Sequence, residues 1–111
     1  MWMIDPKLLC SKHLIGEHGE IHKHLPSFRR GHKIDGRFAP VVQIQLNRLK
    51  ERHDELAVEM LARKYRHISP LLDIPNLKGK YPQHYDKMVD LNISKTDLYQ
   101  RCSACEGRKN A

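Results

Sequence analysis

Apolar residues recur at helical spacing in two separate stretches, and nowhere is alternation sustained long enough to build a sheet. In the first, from about Leu8 to Arg30, a rotation of 100° per residue puts Cys10, Leu14, His18, Ile21, Leu25 and Phe28 on one side. That side predicts a core face. His13, Glu17, Glu20 and His24 form a second, ionisable stripe, and Lys12, Lys23 and Arg30 a third, basic one. Asp5-Pro6 suits a start signal, with Asp5 as N-cap and Pro6 at the first helical position. Pro26 is expected to kink or split the helix, because it removes the amide that would bond to His22. Gly16 and Gly19 each weaken it by about 1 kcal/mol relative to Ala. Gly16, near the ionisable stripe, leaves room for a ligand or chain to approach the backbone.

The second stretch carries Leu46, Leu49, His53, Leu56 and Met60, with Ala57 and Leu61 one position on. Asn47 is a candidate cap, and Lys50, Glu51, Arg52, Asp54, Glu55 and Glu59 are placed on the solvated side. Between the two lies a basic loop, residues 29–40, with Arg29, Arg30, His32, Lys33 and Arg37 and with Gly31 and Gly36 as breakers. Val41 to Gln45 alternates too briefly for a sheet. Ser69-Pro70 ends the second helix region, and Pro70, Pro75, Gly79 and Pro82 mark an irregular connection. A last helix is expected near Ser94, with Ser94-Lys95-Thr96-Asp97 as its capping pattern. The prediction is a small all-α single domain over 1–111, of about three helices with long basic loops.

Lys and Arg outnumber Asp and Glu by 20 to 13 in 111 residues, a net charge of +7. A surplus of that size favours a polyanionic partner. No apolar run is long enough to span a membrane. Met1-Trp2-Met3-Ile4 runs straight into Asp5-Pro6, so no signal-peptide core is expected. Three cysteines are too few for a disulfide scaffold and point to the reducing cytoplasm. A monomer is expected.

Glu20, mid-helix between histidines, can stabilise a developing cation or move protons. It can equally be a solvated acid paired with His24 or Lys23. Cys10-Ser-Lys-His13 and Cys102-Ser-Ala-Cys105 each have the spacing at which two side chains grip one ion. Together they supply a Cys₃His set for a structural zinc that would tie the C-terminal tail to the first helix. Otherwise Cys10 is a small core residue and Cys102 and Cys105 a reduced pair. His13 cannot serve both a zinc and an active site. The remaining histidines, His18, His22, His53, His67 and His84, read as packing or surface residues.

The segment His13-Leu14-Ile15-Gly16-Glu17-His18-Gly19-Glu20-Ile21 resembles the first-helix motif of the pyrimidine-dimer DNA glycosylase/AP lyase family, of the phage endonuclease V type. Met1 to Leu9 resembles the amino terminus of its cellular branch. Leu49 to Met60, followed by His67-Ile68-Ser69-Pro70, resembles that family's second helix and the turn after it. The resemblance covers about residues 1–70. It implies an endonuclease V-like fold and a free α-amine that attacks the sugar C1′ of a damaged nucleotide. The amine expels the base as a Schiff base forms, and β-elimination then cuts the strand. No cofactor is required for that chemistry. An α-amine suits it because its ordinary pKa of about 8 leaves part of it neutral at pH 7. The family's glutamate falls on Glu20, and the nucleophile on the amine of Met1, or of Trp2 should Met1 be removed. The chain departs from the family pattern at Met3, Gly19 and Lys23, where the family carries arginines, and it lacks the phage enzyme's aromatic, basic tail. The pattern therefore bears more directly on incision at abasic sites than on dimer recognition.

The substrate implied is damaged or abasic double-stranded DNA. Lys23, Arg29, Arg30, Lys33 and Arg37 would contact its phosphates, with Lys78, Lys80 and Tyr81 extending the patch. Two other readings stand beside the enzyme. One is a non-catalytic, zinc-stapled DNA-binding module. The other is a metal-dependent hydrolase on His13, His18, His22 and His24, disfavoured because His18 and His22 point away from the His13/His24 stripe.

Overall fold

The structure, a computed structural model, describes residues 1–66 and 68–109. It is all-helical, as expected, with no strand among the described residues. Among the described residues five α-helices follow in order, against about three expected, the extra ones being the short α3 and α5: α1 (Ser11–Arg29), α2 (Leu49–Ala62), α3 (Leu77–Lys80), α4 (Leu91–Arg101) and α5 (Ser103–Arg108). Single 3₁₀ turns cover Pro6–Leu8, Asp35–Arg37 and Leu46–Arg48.

The core is the α1–α2 pair. Leu14, His18, Ile21, Leu25 and Phe28 of α1 are buried, as the helical spacing predicts. They meet Leu49, Leu56 and Met60 of α2. Each large apolar side chain taken fully from water contributes about 1.5–3 kcal/mol, so this seam anchors the fold. Ile4, Leu9, Leu98 and Cys105 close it from the two ends of the chain.

Element boundaries differ from expectation in instructive ways. Asp5 and Pro6 do form a start signal, but for the isolated turn Pro6–Leu8; Leu9 is extended, and α1 begins afresh at Ser11. Pro26 does not split α1, because only Ser27, Phe28 and Arg29 follow it in the helix. Gly31 ends α1 at φ +69°, with His32 N–H donating to the Ser27 carbonyl at 3.1 Å. Asn47 does not cap α2; it lies inside the turn Leu46–Arg48 that leads into it. Arg52, placed on the solvated side from sequence, is 1% exposed, whereas Leu61 is exposed. Helix α4 starts three residues before Ser94, with the Asp90 carboxylate accepting from the Asn92 and Ile93 amides.

The amino terminus is folded down rather than free. Arg63, at the end of α2, donates to the carbonyls of Pro6 and Leu9 at 3.2 and 2.8 Å. Arg108 of α5 donates twice to the Lys7 carbonyl, at 3.1 and 2.8 Å. Ser94, relieved of capping by Asp90, is buried and donates its hydroxyl to the Trp2 carbonyl at 2.7 Å. Met3 sits at φ +58°, a left-handed turn that redirects the first two residues.

Candidate active site

Those anchors bring the chain's first nitrogen beside α1. The Met1 ammonium lies 2.8 Å from Glu20 Oε1 and donates to the Gln43 carbonyl at 2.7 Å. The Met1 side chain is packed away, 1% exposed, while the Glu20 side chain is 38% exposed. An ammonium has three protons, and two acceptors hold two of them. When the amine is neutral, its two remaining protons keep both contacts and the lone pair takes the third direction.

Both groups open onto a cleft of about 820 Å³. Trp2, Arg37, Val41, Gln43 and Ile93 line it with Met1 and Glu20. His24 Nε2 stands 3.9 Å from Glu20 Oε1, with its ring stacked on Phe28. Burial pushes the His24 imidazole below its ordinary range, against the pull of Glu20, and Arg37, the amine and Lys23 reinforce the drop. A neutral imidazole next to a carboxylate can relay a proton, taking one up at one ring nitrogen as it releases one from the other.

Glu17, on the same stripe as Glu20, goes elsewhere. It is buried and bonds Arg52 through two hydrogen bonds, Nε to Oε2 at 2.5 Å and Nη2 to Oε1 at 2.9 Å. This fork joins α1 to α2.

The basic residues predicted for phosphate contact divide into two kinds. Lys23, Arg30, Lys33 and Arg37 are exposed. Lys33 and Arg37 share a smaller hollow with His24 and His32, beside the cleft. Arg29, also exposed, spends its guanidinium on the carbonyls of Leu72 and Asp73, at 2.8 and 3.2 Å. Lys80 donates to the Arg29 carbonyl at 3.1 Å. Tyr81 is buried and donates to the His32 carbonyl at 2.6 Å, so its ring is not part of a surface patch, whereas Lys78 is exposed.

The four histidines weighed for a hydrolase go to three different places. His24 stays with Glu20. His13 turns to the cysteines, its Nδ1 3.2 Å from Cys10 Sγ and 3.6 Å from Cys105 Sγ. Cys10 Sγ lies 3.8 Å from Cys102 Sγ. The donor atoms of Cys10, His13, Cys102 and Cys105 all fall within 4.8 Å of one another, an arrangement that can hold a metal ion. The backbone amides of Cys10 and Cys105 point at the sulfurs of Cys105 and Cys102, at 3.3 and 3.4 Å. The Cys105 amide pulls the Cys102 thiol down, whereas burial pushes that of Cys105 up to about 12. His18 and His22 pack instead against His53 of α2. His84 is a packing residue, stacked on Phe38 and bonded to Asp35 at 2.6 Å. His67 lies outside the described residues.

Sequence reasoning missed Gln43 and Ser94 as holders of the amino terminus. Gln43 acts through its backbone carbonyl, which no side-chain pattern reports, and Ser94 resembles an N-cap.

Among the described residues, no helix is long and apolar enough to cross a membrane. No curated protein and no solved structure matches the chain. A family model does: that of pyrimidine dimer DNA glycosylase, over residues 1–73. This span includes Met1, Glu20, Gln43 and the whole α1–α2 core, and leaves Ser94, Cys102 and Cys105 outside it. The chain belongs to the pyrimidine dimer DNA glycosylase family.

Proposed function

We propose that the protein is a glycosylase and AP lyase for damaged duplex DNA, with the Met1 α-amine as nucleophile and Glu20 as the carboxylate that serves it. The observation that carries the reading is the 2.8 Å contact between the amine and Glu20 at the edge of the cleft. Water takes the ammonium proton that neither Glu20 nor the Gln43 carbonyl holds, the freed lone pair attacks C1′, and Glu20 accepts the next amine proton. The bond from C1′ to the base breaks with its electron pair, so positive charge develops on the sugar. A carboxylate a few ångströms away stabilises that charge more strongly in a partly dried cleft than in water. Loss of a second amine proton and opening of the sugar ring give the imine. Removal of a C2′ proton then expels the 3′ phosphate, and water releases the enzyme.

The lesions read are pyrimidine dimers and abasic sites, and the protein acts as a monomer. Reaching C1′ requires displacing a nucleotide from the duplex, at a cost of a few kcal/mol. Lys23, Arg30, Lys33 and Arg37 supply phosphate contacts that offset it and make binding salt-dependent. Arg29 contributes by fixing the loop at Leu72 and Asp73.

We assign a structural zinc to Cys10, His13, Cys102 and Cys105. Ligands about 2.0–2.3 Å from a tetrahedral ion stand roughly 3.3–3.8 Å apart, close to the observed spacing. Its place is structural: binding would release the Cys105 proton and tie α5 to α1. Catalysis needs no metal in this scheme.

Borohydride reduction on an abasic oligonucleotide tests the reaction. The parent protein is expected to form a covalent adduct with DNA through Met1, located by peptide mass. Glu20→Gln is expected to keep DNA binding and lose at least about tenfold in incision, the low end for a proton-transfer group. Absence of any adduct, with DNA still bound, would sink the lyase and leave the zinc-stapled binding module. Unchanged incision would remove Glu20 from the mechanism.

A further inference from the structure

A second cluster of donors lies where α1 crosses α2, and the glycosylase reading makes no use of it. One ring nitrogen from each of His18, His22 and His53 falls within 4.8 Å of the other two. His22 Nε2 is 3.1 Å from His53 Nε2. The Ser69 carbonyl oxygen stands 3.1 Å from the first and 3.0 Å from the second. His18 and His53 are buried, 7% and 2% exposed. His18 Nε2 is buried with no hydrogen-bond partner among the described residues.

Proton bookkeeping shows what this arrangement lacks. The Asp54 carboxylate, held also by Lys50, lies 2.9 Å from His53 Nδ1. A carboxylate only accepts, so that nitrogen carries the ring proton and a neutral His53 presents a bare lone pair at Nε2. That lone pair faces the Ser69 carbonyl, another acceptor, at 3.0 Å. The single N–H available on His22 Nε2 points between two acceptors and leaves His18 Nε2 with nothing.

One divalent cation satisfies all of them. We propose that His18, His22 and His53 form a site for a first-row transition ion of the Zn²⁺ type, with the Ser69 carbonyl as a fourth donor. Imidazole nitrogens suit Zn²⁺, Co²⁺, Ni²⁺ and Cu²⁺, and Mg²⁺ and Ca²⁺ poorly. Ligands about 2.0–2.1 Å from such an ion stand roughly 2.8–3.4 Å apart, across six- and four-coordinate geometries; the His22, His53 and Ser69 donors lie at that scale, and the His18 nitrogen within 4.8 Å of the other two. Asp54 behind His53 supplies the carboxylate that commonly orients a ligating histidine. The ion would cross-link α1, α2 and the segment after α2. The sequence hid the site because His18 and His22 sit on one helix, His53 on another, and the fourth donor is backbone. The proposal is independent of the amine chemistry, since neither Met1 nor Glu20 takes part.

Cobalt tests it in the full chain. Protein stripped with a chelator and titrated with Co²⁺ is expected to take up two equivalents. One shows sulfur-to-cobalt charge-transfer absorption, from the cysteine cluster, and the other only weak ligand-field bands. His22→Ala, at a half-buried position, is expected to bind one equivalent and keep the charge-transfer band. Uptake by the parent of a single equivalent that carries the charge-transfer band, or of two by folded His22→Ala, overturns the proposal. Imidazole ¹⁵N NMR of the parent on adding Zn²⁺ decides the matter even if the variant fails to fold. Shifts of the His18, His22 and His53 ring nitrogens support the site, and unmoved resonances mean a bridging water in place of a metal.

Discussion

Glu17 and Glu20 are three residues apart on one helix, and exchanging each for glutamine should separate structure from chemistry. Glu17→Gln leaves the buried Arg52 guanidinium without its counter-charge. Removing one partner of a buried pair costs about 3–5 kcal/mol. Two features favour the lower figure. The glutamine oxygen still accepts one of the two Arg52 bonds, and Glu55 Oε2 remains 3.5 Å from Arg52 Nη1. A loss of about 3 kcal/mol is large against a total stability of about 5–15 kcal/mol. It corresponds to a fall in Tm of roughly 12–24 °C at about 4–8 °C per kcal/mol. Glu20→Gln removes a partly exposed ion pair instead, worth at most about 1 kcal/mol. Urea unfolding followed by circular dichroism reads both: the Glu17→Gln midpoint should drop with the slope unchanged. Replacing the pair together, Glu17→Met with Arg52→Leu, should recover stability to within about 1 kcal/mol of the parent, because no buried charge is left alone. A Glu17→Gln loss below about 1 kcal/mol, or an equal loss from Glu20→Gln, would refute the division of roles.

Two further outcomes follow from the same structure. Cys102→Ser should lower bound zinc by about one equivalent per chain and reduce stability, since α5 is too short to hold without a tie; unchanged zinc content by elemental analysis would dismiss the four-ligand site. A Cβ at Gly16 or Gly19 would meet nothing within 4 Å, so alanine at either position should stabilise α1 by about 0.5–1 kcal/mol in urea titrations. Destabilisation would contradict the open helix face, and a more stable Gly16→Ala that incises poorly would place DNA against that backbone.

The helix pair, its apolar seam and the Cys₃His grouping were legible because each depends on spacing within a segment. Glu20 stood out as an acid between histidines, but its pairing with the amine was legible only through the family resemblance. Helical rotation could not tell Glu17 from Glu20: both sit on the ionisable stripe, and only the position of α2 decides which one meets Arg52. Arg52 itself was read as solvated because a charge on one helix shows no sign of a partner on another. Ser94 misled for a related reason. Its hydroxyl fits a cap, but Asp90 fills that role and frees Ser94 for Trp2. The histidine cluster needed two helices and one carbonyl from beyond them, a combination that no linear pattern encodes.

The clamps on the amino terminus have a consequence for the order in which the site comes into being. Met1 precedes Arg63, Ser94 and Arg108 in the sequence, so synthesis delivers the side chains that hold the segment around it one after another behind it. A nascent chain carrying α1 and α2 already has Glu20 in its helix while the partner amine still swings loose. The pairing of amine and carboxylate is therefore held by all three clamps only once Arg108 has been made, although the match to the family model ends at residue 73.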